Sequence, residues 1–328
     1  MPLSTKRQAE ATKDTAEALT RTVVALDAGN RFIKWIDASG RIQCIPSYYK
    51  KVEDWEDAEA SETSIVIEHG GDRYTIGSDA QYQAGSATFE DDKCQLVKLL
   101  GLVAIEPKAG QNQVIIEDLR IMLPDSRKAD SVSHLKRLEG SITFKRNGVD
   151  VYTMVKRVSP IDETKPAYRY ALANGLFRFP KKHLGVIDLG GGTGIARLYT
   201  PTGTIIRQAD CILPGTFALA QRIAAALKPE MDYSPDLGLI MDAIEANEFT
   251  YGTTGKPFQA HFEKARQQWL DEIRNKVKTA WASYWSELAE VLIVGGSAPL
   301  AQRFEVMTNG RFKVAPNPQT IALRGMLQ

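Results

Sequence analysis

Asp27 and Asp188 are the residues from which chemistry can first be read in this chain. Each closes a short apolar run, Val23-Val-Ala-Leu26 in one case and Val186-Ile187 in the other, and each is followed two positions later by a glycine, Gly29 or Gly190. A second apolar segment then returns toward a turn glycine, Gly40 or Gly203. An aspartate at the end of a buried strand can hold water on Mg²⁺, a cation that takes oxygen ligands and keeps much of its hydration when it bridges phosphates. The glycines let backbone N–H groups approach phosphate oxygens without a Cβ in the way. One such segment would also describe an ordinary strand and turn. Two copies, half a chain apart, predict a phosphate-gripping hairpin made twice and two half-molecules to carry it.

The rest of the composition narrows the chemistry by exclusion. At 328 residues and 43% hydrophobic, the chain is long enough for two globular domains. Its 41 basic and 40 acidic residues leave no global field to draw it to nucleic acid or an anionic membrane, so a DNA partner is expected through an adaptor. The short basic pairs Lys136-Arg137 and Lys145-Arg146 read as solvated faces. Cys44, Cys94 and Cys211 are too far apart for a metal knuckle or redox pair, and His69, His134, His183 and His261 are equally isolated. No window reaches the ~20 apolar residues that cross a bilayer. The opening segment lacks the apolar centre of a secretory signal and is expected to be a tail over 1–21 in a cytoplasmic protein.

Elements that would position the hairpins follow from periodicity. Ile42-Gln-Cys-Ile-Pro46 predicts a strand stopped by proline, and 50–62 a charged solvent loop. A β-hairpin is expected over 65–77 with its turn at Gly70-Gly71, and a second over 140–160 turning at Asn147-Gly148. Leu96, Leu99, Leu100 and Val103 predict a helix over 93–105; further helices are expected over 167–176 and 216–227. A strand is expected within 114–124, ended by Pro124. Phe262, Trp269, Ile273, Val277, Trp281, Tyr284 and Leu288 recur at three- and four-residue steps and predict one long helix over 258–288. Val291-Leu-Ile-Val-Gly-Gly-Ser-Ala298 reads as a buried strand running into a glycine turn, and a short helix through Arg324 closes the chain.

Asp27-Ala-Gly-Asn30, Asp188-Leu-Gly-Gly-Gly-Thr193 and Val294-Gly-Gly-Ser-Ala298, in that order, resemble the phosphate-1, phosphate-2 and adenosine motifs of the actin superfamily. Leu119-Arg-Ile-Met-Leu-Pro124, Glu163-Thr-Lys-Pro-Ala167 and the ending Asn317-Pro-Gln-Thr-Ile-Ala-Leu-Arg-Gly325 are similar to segments of its plasmid-segregating ParM/StbA branch. Gly190-Gly-Gly-Thr193 is closer to the wider superfamily than to that branch, and the N-terminal tail has no counterpart in it.

The resemblance implies an α/β, two-domain actin-like ATPase fold with duplicated ribonuclease-H-like domains over 22–182 and 183–316, and 317–328 packing back on the first. It implies ATP, or GTP, with Mg²⁺ held through water by Asp27 and Asp188 in the cleft between the domains. The backbones of Gly29, Asn30, Gly190, Gly191 and Gly192 would cradle phosphates, Lys34 would neutralise their charge and Thr193 would add a hydroxyl. Gly295, Gly296 and Ser297 would pass under the α-phosphate and adenosine, and Arg222 is a candidate for the base. Glu163 would orient the attacking water, with Asp162 competing for that role. The activity implied is nucleotide hydrolysis timing a homopolymeric filament that segregates DNA through a ParR-type adaptor, without direct nucleic-acid or membrane contact. A sugar or small-molecule kinase and a nucleotide-binding scaffold without turnover share the same hairpins and stand as alternatives. A chaperone-type ATPase lacks room for a substrate domain after Ser297.

Overall fold

The computed structural model describes residues 18–88 and 93–328. The first half opens with β1 (Leu19–Ala28), β2 (Phe32–Ile36) and β3 (Ile42–Pro46), an antiparallel meander. β1 starts earlier than the expected tail boundary at residue 21, because Leu19 and Thr20 already pair with Val114 and Ile115 and so satisfy the backbone of the strand beside them. The remainder of the tail, 1–17, lies outside the described residues. β4 (Tyr48–Val52) follows, then the expected hairpin of β5 (Ser64–His69) and β6 (Asp72–Gly77), α1 (Ser78–Tyr82), β7 (Ser86–Ala87) and α2 (Lys93–Val103). Lys50 and Lys51, expected in a solvent loop, are strand residues paired with Thr75 and Tyr74 of β6.

β8 (Gln113–Leu123) is the spine of this half, paired along most of its length with β1. After α3 (Ala129–Lys136), the hairpin of β9 (Gly140–Arg146) and β10 (Val149–Val155) turns at Asn147 and Gly148, both at positive φ, and lies beside the first part of β8. β11 (Val158–Asp162) pairs with the last part, and α4 (Lys165–Ala173) leaves its end.

In the second half come β12 (His183–Leu189), β13 (Thr193–Tyr199), β14 (Cys211–Pro214), α5 (Thr216–Leu227), α6 (Leu237–Ala246), β15 (Thr250–Tyr251), β16 (Lys256–Pro257), α7 (Gln259–Ala280), β17 (Leu288–Val294), α8 (Arg303–Met307), β18 (Phe312–Val314) and α9 (Ile321–Gly325). The expected helix over 258–288 therefore stops at Ala280, and Leu288 already belongs to a strand. The aromatic period continues past the end because Trp281 and Trp285 still face the core. Tertiary bonds hold the chain past the helix end: the Trp281 indole donates to Ala209 O at 2.9 Å, and Arg311 takes the carbonyls of Trp285 and Leu288 at 2.7 and 2.5 Å.

Among the described residues the two halves share one kernel. The order β3-β2-β1-β8-β11 in one sheet matches β14-β13-β12-β17-β18 in the other, with three antiparallel strands followed by two parallel ones in each. Each half has its own apolar core, and a third cluster joins them. In it Ala25 and Met122 of the first sheet and Val186 and Leu292 of the second enclose α4 and α9. Those helices cross closely enough that a Cβ on Gly325 would lie 2.0 Å from Pro166 O. Arg120 holds α9 from the first half by donating to the carbonyls of Met326 and Gln328. No described helix is long and apolar enough to cross a membrane.

Candidate nucleotide site

The duplicated kernels put their first strand ends face to face. Asp27 is at the end of β1, directly across from Lys34 on β2, and the Lys34 ammonium donates to Asp27 Oδ2 at 2.7 Å. Burial works against that ammonium, but the charge and hydrogen bond of Asp27 and the charge of Asp188 outweigh it and hold its pKa above the ordinary lysine range. The loop after Asp27 is fastened from behind: Gly29 O accepts from the Ser47 hydroxyl at 2.8 Å, and Arg31 O from Ser47 N–H at 2.8 Å. In a trans peptide the N–H points opposite to the carbonyl before it, so the Asn30 N–H is turned away from Ser47.

On β12, Asp188 occupies the matching position, and the loop after it is fastened by the start of α5. Thr216 N–H and Phe217 N–H donate to Gly190 O and Gly191 O at 3.2 and 2.7 Å. That orientation turns the N–H groups of Gly191 and Gly192 away from α5. Gly190 N–H, expected at a phosphate, is spent inside the turn on Thr193 O at 3.1 Å. The third segment leaves β17 beside the second loop, where Ser297 N–H donates to Leu189 O at 3.0 Å. Gly295, at φ +94°, passes so near Asp188 that a Cβ there would lie 2.4 Å from Oδ1. Ser297 is buried, and its hydroxyl bonds Thr216 Oγ1 and Gly190 O rather than an open face.

All three segments line one cavity of about 570 Å³. Asp27, Gly29, Asn30, Lys34, Glu163, Asp188, Gly190, Gly191, Gly192, Thr193, Gly295, Gly296 and Ser297 are all in its wall. Two carboxylates facing one ammonium leave a negative charge in a place of low exposure. Burial, then the charge of Asp27, push the Asp188 carboxyl up to about 6, against Lys34 and Arg197. Such a donor set suits a hard, hydrated divalent cation, with Asp27 and Asp188 as the residues to hold it. Among the described residues no group of three or more His, Cys, Asp or Glu side chains forms a direct metal cage.

Glu163 reaches the cavity from the β11 to α4 junction, whereas its competitor Asp162 does not. Asp162 is buried, accepts from Ser126 N–H at 2.9 Å and pairs with Arg207, which hold its pKa below the usual carboxylate range against the effect of burial. Arg222, the candidate base contact, points instead to Glu272 of α7.

Several wall residues were missed by sequence reasoning. Met241, Ile244 and Glu245 come from α6, a helix not expected although its signals were present: Asp236 caps it by accepting Leu239 N–H at 2.9 Å, and Asn247 ends it in the left-handed region. Arg31, at the tip of the first loop, crosses to that helix and donates to Asp242 at 2.5 Å and to Glu245 at 3.0 Å.

Comparison with known proteins bears on the fold that carries this cavity. Residues 25–159 match the family model described as the N-terminal domain of actin-like proteins. No curated protein sequence matches the chain. Among solved structures the chain is similar to the archaeal actin homologue Ta0583, with a TM-score of 0.75 and 16% identity over 93% of this chain and 98% of that one. Ta0583 has also been solved in complex with ADP, at TM-score 0.73 and 14% identity over the same shares. A non-polymerisable quadruple mutant of pCBH ParM gives 0.75 and 16% over 93% and 97%. A 15-stranded ParM filament from Clostridium botulinum gives 0.73 and 16% over 94% and 98%. At these identities the likeness establishes the fold, which is that of actin.

Proposed function

We propose that this chain, whose residues 25–159 match the N-terminal domain of actin-like proteins and whose fold is that of actin, is an ATP-dependent filament former whose hydrolysis limits the life of the polymer. The observation that carries this reading is the convergence of two phosphate hairpins, the Gly295-Gly296 turn and Glu163 on one cavity. The ADP complex of the archaeal homologue supports a nucleotide there, and the ParM filament supports self-assembly.

In this mechanism the N–H groups of Asn30, Gly191 and Gly192 hold the β- and γ-phosphates, and Lys34 offsets their charge. Thr193 adds a hydroxyl, and Gly295 and Gly296 leave room for the α-phosphate and sugar. Asp27 and Asp188 would hold a Mg²⁺ ion entering with the nucleotide, which would supply charge neutralisation during phosphoryl transfer. Glu163 accepts a hydrogen bond from the attacking water and orients it; catalysis is otherwise positioning and electrostatic stabilisation. Hydrolysis removes the group that draws the two hairpins together, which loosens the closed cleft and weakens subunit contacts. GTP would fit the same phosphate grip. A cytoplasmic filament joined to DNA by a ParR-type adaptor is the role we assign.

The kinase reading is less well served. Apart from Ser131, the first half's lining between Ile121 and Leu135 is Ile121, Met122, Leu123, Pro124 and Leu135, whose side chains offer little to a sugar hydroxyl. The deciding experiment is right-angle light scattering with parallel phosphate release after adding Mg-ATP, for wild type and Glu163→Ala. Scattering that rises in both, with phosphate release only in wild type, is expected. Nucleotide binding with scattering that stays flat as protein concentration is raised removes the filament.

A further inference from the structure

We propose that Arg197 and Tyr199, two alternate residues of β13, form a clamp from the second lobe that positions Glu163 for hydrolysis. The proposal rests on the hydrolytic reading above and concerns how its glutamate is kept in place.

Glu163 stands at a strained joint. Its N–H donates to Leu123 O at 2.8 Å, and the next residue, Thr164, has φ +75° with its side chain fully buried. A β-branched residue in that region is an outlier that costs on the order of 1–3 kcal/mol and persists only where its surroundings hold it. Thr164 precedes α4 but does not cap it with its hydroxyl. The hydroxyl instead meets the Tyr199 phenol at 2.7 Å. Tyr199 is itself immobilised: it is fully buried and stacks on Tyr168 of α4, with ring centroids 3.9 Å apart and planes within 5°.

Arg197 holds the other side of the joint. Only 2% exposed, it donates through Nη1 to Glu163 O and through Nη2 to Pro124 O, while Nε bonds Asp210 at 3.2 Å. A buried guanidinium from one lobe thus fixes two backbone carbonyls of the other, one of them belonging to Glu163. Residues two apart on a strand share a face, so both side chains come off β13 toward the same joint. The strand begins at Thr193 in the second phosphate loop, so a shift of that loop is carried along a rigid element to the backbone of Glu163.

Tyr199→Phe tests this most cleanly, since it keeps the ring stack and removes only the hydroxyl. We expect kcat for phosphate release to fall about 10–100-fold, the cost of a small misplacement, with KM for Mg-ATP and ATP-dependent scattering unchanged. Backbone hydrogen exchange at Glu163 and Thr164 should accelerate. Adding Thr164→Gly, which accepts positive φ without strain, should recover much of the lost kcat. Arg197→Lys, which cannot span both carbonyls, should resemble Tyr199→Phe; if it does not fold, Tyr199→Phe decides alone. A Tyr199→Phe protein with wild-type kcat and exchange, beside an inactive Glu163→Gln, overturns the clamp but leaves hydrolysis standing. Wild-type phosphate release by Glu163→Gln overturns both.

Discussion

Gly29 and Gly190 occupy the same place in the two phosphate hairpins, and a Cβ on either would press on the carbonyl three residues ahead, Phe32 O at 2.8 Å or Thr193 O at 2.6 Å. One position further the hairpins part. The first carries Asn30 and Arg31 at its tip; the second carries Gly191 and Gly192. A Cβ on Gly192 would fall 2.1 Å from Asn30 Nδ2, and one on Gly191 would fall 2.8 Å from Arg31 Cβ. The shared glycine therefore serves the turn itself, whereas the extra glycines serve the opposite hairpin. The same division holds for charge. Lys34 stands across from Asp27, but the matching place across from Asp188 is Ile195, so one ammonium faces two carboxylates. A duplicated hairpin has become two complementary halves, one giving side chains and the other giving room.

The strongest way to break that complementarity is Gly192→Ala. The added methyl forces Asn30 aside, and we expect about 100-fold weaker Mg-ATP binding in calorimetry together with about 1–3 kcal/mol of lost stability, as for other overpacked sites. Asn30→Gly in the same chain should restore most of the affinity. Recovery without the second change, or none with it, would separate the two glycines from the opposing tip. Next in size is Lys34→Met, which leaves Asp27 and Asp188 facing each other without a cation. Loss of a charged hydrogen bond predicts about 10–100-fold weaker nucleotide binding with the fold retained by circular dichroism.

The hairpins could be read from the chain because both their chemistry and their strands are local: an apolar run, an aspartate and a glycine within seven residues. What they are fastened to could not. Ser47 lies beyond a proline-stopped strand, and its contact with Gly29 depends on sheet register. Arg197 did leave a trace, as the one charged residue of Gly194-Ile-Ala-Arg-Leu-Tyr199, but its three partners come from three separate segments. The helix over 259–280 is shorter than its sequence pattern for the opposite reason. Trp281 and Tyr284 keep the helical period, and nothing in the nearby sequence announces that Arg311, a strand away, will take the carbonyls of Trp285 and Leu288.

The far turns of the hairpins extend the comparison to pH. Asp37 and Thr200 sit at matching positions, each accepting through its carbonyl the N–H of the turn glycine, Gly40 at 3.1 Å and Gly203 at 2.9 Å. Thr200 fastens its turn with a hydroxyl that accepts Thr204 N–H at 3.1 Å. Asp37 does so with a carboxylate that accepts from Ser39, Arg41 and Gln43. Burial alone would raise its pKa; the hydrogen bonds from Ser39, Gln43 and Arg41 outweigh it and hold the group well below the usual carboxylate range. A depressed carboxyl pKa gives stability that is complete above its unfolded value, near ~4, and disappears as pH falls below it. Asp37→Asn should therefore cost about 1–3 kcal/mol at pH 7 and less with each step from pH 4 downward. Thr200→Val should cost an amount independent of pH, and equal slopes for the two variants would remove the distinction.

Arg31 offers the smallest and most selective test, because its guanidinium reaches past the second hairpin to a helix, α6. Its partners Asp242 and Glu245 are each 49% exposed, so solvent screens the pair and Arg31→Ala should lower stability by no more than about 1 kcal/mol. The effect on nucleotide exchange has a different origin. Arg31 spans the cleft beside Glu245, which lines the cavity, so opening the mouth must break these contacts before nucleotide can leave. Arg31→Ala should raise the release rate of a fluorescent nucleotide a few-fold, a change that shrinks as salt rises in wild type toward the variant's value. A variant that loses stability but releases nucleotide at the wild-type rate would place Arg31 with the scaffold and leave the first tip, like the second, acting only through its neighbour across the phosphate.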